Sequence, residues 1–497
     1  MWALVAASMI GAGIAGLRWL RVSQREHYLA AAATRFAWRW WNTSPLNRVL
    51  GLMALAGVVG SFFVDPELGW LGLAGAVGPV GLGLRGRTSP LHWTPRLRRL
   101  ALATGSLVLA FGVWSAITGH PGPAAAAVIV VPRLVDAAAA LLKGFEGRAG
   151  EPWVEKARAR LSGSGARVVA ITGSYGKTTT KNYLAHLLAG TQSVLATPAS
   201  FNNRMGIARA INEQLTPGTS MFIAEMGTYG PGEIRALCDF VPPDVAVITA
   251  IGPVHLERFG SEEAIVESKA EILEMARVAV LNQDHPRLAE IARKEGGSRR
   301  VLTASTVDRR ANVAVIDGLV HVEGVVIGEV SPEVFASNVA CAVAAAVGLG
   351  IEPGVLAARF HDLPVARHRR EMSRTERGVI VIDDTYNSNP AGARAALGTL
   401  VDLDGGGRRV VVTPGMVELG DEQERANREW AQLAAERVTD LVVVGHTNRH
   451  SLVEGAAGRR ALVTVVDSRP AAVEWVRANL EPGDAVLYEN DLPDHYP

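Results

Sequence analysis

The hydrophobic pattern changes character once along the chain. Up to about residue 145 apolar residues come in long runs, at Trp2–Leu17, Val49–Val64, Trp70–Leu84 and Leu100–Thr118. A helix needs about 20 mostly apolar residues to cross about 30 Å of hydrocarbon, so these runs predict membrane spans. A fifth run, Pro123–Leu142, is interrupted by Arg133 and Asp136, whose i, i+3 spacing could pair them on one helical face. From Glu146 onward the runs shorten to β-branched stretches such as "RVVAIT", "MFIAEMG" and "VAVITAI", separated by helical patterns. That alternation predicts an α/β protein with parallel sheets. The expected organisation is an all-α transmembrane region of about five helices at 1–145, then a nucleotide-binding domain at 146–366, then a second α/β domain at 367–497.

Charge orients the spans. Arg18, Arg21, Arg25, Arg35, Arg39 and Arg48 follow the first run, and Arg85, Arg87, Arg96, Arg98 and Arg99 follow the third. The turn between the second and third runs carries Asp65 and Glu67 instead. The pattern predicts an outside N-terminus, with both arginine-rich connections in the cytoplasm. Five crossings then bring the α/β domains to the cytoplasmic side, where ATP is, as a multi-pass cell-membrane protein. Trp19 with Arg18 and Arg21 suits an interfacial anchor, and "TRFAWRWW" at Thr34–Trp41 an amphipathic helix at headgroup depth. A cleaved signal peptide is the alternative for the first run, but no basic residue precedes it and further runs follow.

Composition adds little. The chain is 48% hydrophobic and 20% charged with a net charge of +1, which argues against a nucleic-acid partner. Cys238 and Cys341 form no CxxC pair and read as small buried hydrophobes.

The chemistry starts at "VVAITGSYGKTTTKNYL", Val168–Leu184, a buried strand, a glycine-containing turn and a helix. Gly173 and Gly176 permit a tight turn and close approach to an anion. Backbone N–H groups and the helix N-terminus attract phosphate, Lys177 adds a point charge, and the Thr178 hydroxyl suits Mg²⁺. The loop is a shortened variant, because the full pattern would need glycine at Ile171. Later strands deliver Glu225 and His255, and "ESKAEIL" puts Lys269 and Glu271 on a helix. Taken singly, these could be a capping carboxylate, a surface histidine and a solvated lysine. Together with the loop they offer two metal-ligand types and a cation.

In order along the chain, "ITGSYGKTTTKN", "SFNNRMGIA", "EMGTYGPGEI", "IGPVHLERFGS", "SKAEI", "LNQDH", "SNVACAVAAA", "VIDDTYNSNP" and "GMVELG" resemble the Mur ligases, the ATP-dependent amide-forming enzymes of peptidoglycan precursor synthesis. The likeness is greatest to the branch that adds D-alanyl-D-alanine to a muramoyl tripeptide. The resemblance implies a P-loop central domain and a Rossmann-like C-terminal domain. ATP would meet Gly173, Ser174, Gly176, Lys177, Thr178, Thr179, Asn338, Arg369 and Asp384. Thr178, Glu225, His255 and a carbamylated Lys269 would hold Mg²⁺, with Lys177, Glu225, His255 and Lys269 the catalytic set. Asn202, Asn203, Asn387 and Asn389 would line the substrate cleft. The implied partners are a small-molecule or lipid-linked cell-wall precursor and an amino acid or dipeptide.

Three departures qualify the resemblance. Predicted spans stand where the family has its UDP-sugar domain, and Asn427 stands where that branch commonly has histidine after "ELG". The last strand ends in "LYENDLPDHYP" in place of a Lys-Gly-Ser turn. Two other functions compete: the same ligation on a polyglutamate-type or other polymer, and a non-catalytic membrane nucleotide switch. A switch has no need of Glu225, His255, Lys269, Asn338 and Asp384 together.

Overall fold

The computed structural model describes residues 1–86, 88, 90–198, 201–364, 370–386 and 389–497. It divides into two compact units, Met1–Ala149 with Gly406–Gly415 and Ala431–Pro497, and Gly150–Gly405 with Met416–Trp430.

In the first unit, the regular elements before Ala149 are all helical. Among the described residues four helices are long and apolar enough to cross a membrane: Trp2–Arg25, Pro45–Phe63, Pro95–Thr118 and Gly122–Ser164. The last contains the weak fifth run and continues without a break past residue 145. The predicted third span is not one helix. It is a 3₁₀ segment, Pro66–Leu73, a single turn Ala74–Val77, and then irregular chain. The reason is in the run itself, where Gly72, Gly75, Gly78, Gly81, Gly83 and Pro79 satisfy a hydropathy window but lower helix propensity. The glycines serve close packing instead. A Cβ on Gly57 would lie 2.5 Å from Leu71 Cβ, and one on Gly11 would lie 3.0 Å from Ala76 Cβ.

Three local expectations are corrected. Trp19 is buried, Arg18 donates to Ala76 O at 2.6 Å, and Arg21 pairs with Asp494 at 3.1 Å, so these groups bind protein and not headgroups. Asp136 accepts from Ala33 N, Thr34 N and Thr34 Oγ1 at 3.1, 2.9 and 2.6 Å, capping helix Ala32–Thr43 instead of pairing with Arg133. That helix is amphipathic as expected, but Phe36 and Trp40 face inward, leaving Trp38 exposed. The same unit contains four strands of a parallel sheet.

The second unit is built on a nine-stranded sheet. Its strands are β1 Arg167–Thr172, β2 Val194–Ala196, β3 Met221–Glu225, β4 Val245–Ile248, β5 Val278–Asn282, β6 Arg300–Ser305, β7 Val313–Ile316, β8 Leu319–Val322 and β9 Val325–Glu329. The order is β2-β3-β1-β4-β5-β6-β7-β8-β9, parallel as far as β7 and antiparallel from β7 to β9. Strand β1 is central because both its faces are covered: Val169 and Ile171 pack on one side, Val168 and Ala170 on the other. Helix Ala336–Gly348 lies close on the first face because its residues are small; a Cβ on Gly348 would already come within 3.1 Å of Val278 Cγ1. A two-stranded antiparallel ladder, β10 Glu371–Arg374 with β11 Ile380–Asp384, completes the unit's strands. The four strands of the first unit are β12 Arg409–Thr413, β13 Asp440–Val444, β14 Leu462–Val466 and β15 Ala485–Glu489, in the order β15-β12-β13-β14. Cys238 and Cys341 are buried thiols, as expected.

Candidate functional site

The site lies within the second unit, at the carboxyl ends of β1, β3 and β4, where an open α/β sheet binds ligands. Strand β1 ends at Thr172 and helix Lys177–Leu188 follows after four residues. Gly173 and Gly176 have φ of 151° and 77°. A Cβ on Gly173 would meet Thr249 Oγ1 at 2.1 Å, and one on Gly176 would meet Asn338 Oδ1 at 2.3 Å. Only glycine fits either place. Ser174 braces the loop: its N–H donates to Ala250 O at 2.7 Å and its hydroxyl to Gly252 O at 3.0 Å. Lys177 Nζ donates to Gly173 O at 2.7 Å and Ser174 O at 3.2 Å, so the ammonium is folded over the loop. Thr179 is buried and its hydroxyl has no partner.

Parallel pairing sets Ile171 beside Glu225, which brings the last residue of β3 to the loop. Thr178 Oγ1 donates to Glu225 Oε2 at 2.9 Å, and Asn202 Nδ2 reaches Oε1 at 3.5 Å. Lys181 Nζ lies 3.4 Å from the same Oε2 and donates to Thr197 O at 2.7 Å. Both members of this ion pair are buried. Lys181 went unnoticed in the sequence, although its i+4 spacing from Lys177 put it on the same helical face.

His255 and Glu418 meet through a hydrogen bond from His255 Nδ1 to Glu418 Oε2. Each has a left-handed backbone, with φ of 57° and 65°. Such a conformation costs a non-glycine residue about 1–3 kcal/mol. Tyr229 packs edge-on against the imidazole at 5.0 Å, and the Arg258 guanidinium lies 4.5 Å over the Tyr229 ring. Asn427 explains how the loop bearing Glu418 is held. Fully buried, its Oδ1 accepts from Met416 N at 2.8 Å, while Nδ2 donates to Met416 O at 2.9 Å and Gln423 O at 2.8 Å.

Lys269 is buried near the end of helix Glu262–Ala270. Burial, then the Lys177 charge, holds its amine well below the usual lysine range. Glu271 is structural: its oxygens accept from Gly232 N at 2.7 Å and Arg235 N at 3.0 Å, capping helix Glu233–Phe240.

The other expected residues are scattered in role. Asn338 lies against Gly176 in the loop. Asp384 Oδ1 accepts from Arg370 N at 3.0 Å, and the Arg370 guanidinium sits 4.3 Å over Phe335. Arg369 and Asn387 lie outside the described residues. Asn203 and Asn389 each cap a helix, accepting at 2.9 Å from Gly206 N and Gly392 N. Beside His255 opens a cavity of about 730 Å³ in which Glu257, Glu262, Asp421, Glu422 and Glu429 outnumber Arg394 and Arg425.

The donor set suits a nucleotide with Mg²⁺. The cradle excludes any side chain at Gly173 and Gly176, leaving backbone N–H groups and Lys177 for phosphate. Among the described residues no three His, Cys, Asp or Glu side chains gather as a self-sufficient metal cage. A hydroxyl and one carboxylate, at Thr178 and Glu225, are what Mg²⁺ takes when phosphates and water fill its shell.

Residues 171–345 match the Mur ligase middle domain, and residues 368–488 match the domain described as "Mur ligase, glutamate ligase domain". The chain is 34% identical over 365 residues to the UDP-N-acetylmuramoyl-tripeptide–D-alanyl-D-alanine ligase of Mycobacterium tuberculosis H37Rv, covering 66% of this chain and 71% of that one. The Bacillus subtilis ligase of the same name is 29% identical over 344 residues, covering 67% and 75%. Among solved structures, the MurF ligase of Thermotoga maritima in complex with ADP superposes with a TM-score of 0.59 at 25% identity, covering 69% of this chain and 80% of that one. Sheet, loop and sequence agree: the chain belongs to the Mur ligase family of ATP-dependent ligases.

Proposed function

We propose that this ligase joins D-alanyl-D-alanine, or a similar amine, to the peptide carboxylate of a peptidoglycan precursor. Its domains would run 1–145, 146–366 and 367–497, with the first held in a membrane and the others cytoplasmic. The observation that carries the reading is the Thr178–Glu225 contact beside the phosphate cradle, with the buried Lys269 amine near Lys177.

The acceptor carboxylate attacks the γ-phosphorus of ATP and ADP leaves. The amine then attacks the resulting acyl phosphate, loses a proton and expels phosphate. Negative charge gathers on oxygen in both steps. Lys177 and the loop N–H groups stabilise it electrostatically, in a site whose dipoles are already oriented. Mg²⁺, held by Thr178 and Glu225 with help from His255, supplies Lewis-acid stabilisation of the phosphates when bound. An uncharged Lys269 amine is the form that would attack CO₂ and release a proton to give a carbamate, an anion that would serve as a ligand. Glu418 orients His255 through Nδ1. Asn338 supports Gly176 on the adenine side, while Arg369 and Asp384 serve the phosphates or ribose. Asn202, Asn203, Asn387 and Asn389 border the acceptor. The acid-rich cavity beside His255 favours an ammonium-bearing substrate.

A membrane region also favours an acceptor confined to the bilayer, since attachment raises the effective concentration of one for the other. ADP release by the detergent-solubilised full chain tests both points, with a muramoyl tripeptide presented on UDP or on a polyprenyl carrier and D-alanyl-D-alanine as the amine. Turnover with neither form sinks the substrate assignment; equal or better use of the UDP form discards the lipid-linked acceptor alone.

A further inference from the structure

The first unit contains a second cavity, of about 570 Å³, inside the range of about 300–1,000 Å³ typical of ligand sites. Its floor is the carboxyl edge of the β15-β12-β13 sheet, where Pro414, His446 and Tyr488 face it. Trp40, Leu46 and Val80 line it as well, and so do Leu492, Pro493, Asp494, Tyr496 and Pro497 at the end of the chain.

The walls are fixed. Asn47 ties the segments together: Nδ2 donates to Trp40 O at 3.1 Å and Val80 O at 3.2 Å, and Oδ1 accepts from Val80 N at 2.8 Å. Trp40 Nε1 donates to His495 O at 2.8 Å, and Phe36 packs edge-on against Tyr496 at 4.9 Å.

The charges around the cavity are already compensated. Asp467 is paired with Arg449 at 2.7 Å, Asp491 with Arg469 at 2.8 Å and Asp494 with Arg21 at 3.1 Å. A small ionic ligand would have to break one of these pairs. What the lining offers without cost is apolar surface and a few neutral polar groups. Position says where such a ligand comes from. The wall residue Leu46 lies in the first turn of helix Pro45–Phe63, whose outward side chains include Leu46 at 54% and Leu52 at 65% exposure. Trp38, 74% exposed, stands just before that helix, the place in sequence that an aromatic belt residue takes beside a spanning helix.

We propose that this cavity takes the hydrocarbon chain of a membrane amphiphile, next to its head group. The inference rests on the membrane reading above but not on the ligase chemistry. Native mass spectrometry of the full chain released from detergent micelles tests it with two probes, a long-chain polyprenyl phosphate and dioleoyl phosphatidylglycerol. Retention of the prenyl probe alone identifies an isoprenoid chain, and retention of both a general lipid chain. Val80→Trp and Leu46→Trp, which fill the cavity, should each weaken retention at least about tenfold. Because a filled cavity could disturb folding, Ser44→Cys gives a second measurement: the natural cysteines are buried, and the retained probe should slow maleimide labelling at position 44 by about tenfold. Retention of neither probe, retention unchanged by both tryptophans, or labelling unaffected by probe would each overturn the proposal. ATP turnover on a soluble acceptor is read separately, so its failure strikes the proposed function and leaves the cavity result standing.

Discussion

Thr178 Oγ1 lies 2.9 Å from Glu225 Oε2, and that contact ties the first turn after the phosphate loop to the end of strand β3. Lys181 reaches the same oxygen at 3.4 Å, so Glu225 has a buried ion-pair partner besides the Thr178 hydroxyl, and its proposed metal role is additional. The two roles can be separated.

Glu225→Gln should cost both activity and stability. Removing the carboxylate leaves Lys181 charged and buried, a loss of about 3–5 kcal/mol for breaking a buried pair. Activity should fall by about 100-fold or more, as for the loss of one electrostatic contact to a transition state. Adding Lys181→Met should restore the melting temperature without restoring ADP release. Recovery of both would mean that Glu225 is only a structural residue.

The Lys269 amine predicts a pH dependence of stability. Its folded pKa is depressed below 10.5, so the unfolded chain binds more protons between the folded value and 10.5. Stability should therefore rise with pH through that window and fall as pH drops toward the folded value. Lys269→Met should flatten this part of the profile and raise stability at neutral pH while abolishing ligation. With ¹³C-bicarbonate, the wild-type chain should give a carbamate signal that the variant lacks. Lys177→Ala removes a neighbouring cation, raises the Lys269 pKa and should weaken that signal at fixed pH. No carbamate signal from the wild type would rule out this use of the lysine.

Asn427 is predicted to control the loop that presents Glu418. Asn427→Leu keeps most of the volume but removes the three hydrogen bonds that tie Met416 and Gln423 to Asn427, at about 1 kcal/mol for each bond. The melting temperature and kcat should both fall, while ATP affinity, measured by nucleotide titration, should hold. A variant with wild-type kcat would detach Asn427 from the Glu418 loop's function.

What was legible in the sequence was local. The phosphate loop could be read because its strand, glycines and lysine are consecutive, and the ends of β3 and β4 because buried β-branched runs stop at polar residues. Glu418 is brought to His255 only by tertiary structure, across 163 positions, so no local pattern announced it. Asn427 reads as a missing histidine until its three hydrogen bonds are seen. The glycine-rich run at Trp70–Leu84 misled for a physical reason: hydropathy scales count glycine as nearly apolar, whereas a helix pays for it in backbone entropy. Arg21 looked like an anchor because its partner, Asp494, lies at the far end of the chain.

The broken third segment bears on topology. Its beginning packs near the N-terminus, where a Cβ on Gly69 would lie 2.9 Å from Leu4 Cδ2. Its middle packs against the middle of the first helix, where a Cβ on Gly11 would lie 3.0 Å from Ala76 Cβ, and its end reaches the start of helix Pro45–Phe63, where Val80 N donates to Asn47 Oδ1 at 2.8 Å. The segment thus runs along helix Pro45–Phe63, from Leu68 beside Gly60 to Val80 beside Asn47, without being a long helix itself. Irregular backbone at membrane depth is tolerated where protein covers it, and Gly72 and Gly75 pack against Ala125 and Val128 at 3.3 and 3.2 Å from their ideal Cβ positions. Counted with the four long helices, it would make five crossings in the proposed membrane arrangement, an odd number that would place the two ends of the chain on opposite sides. Reporter fusions at Met1 and Gly119 should therefore report the outside, and a fusion after Pro497 the cytoplasm. An N-terminal reporter on the same side as the C-terminal one would mean that Pro66–Leu84 does not cross.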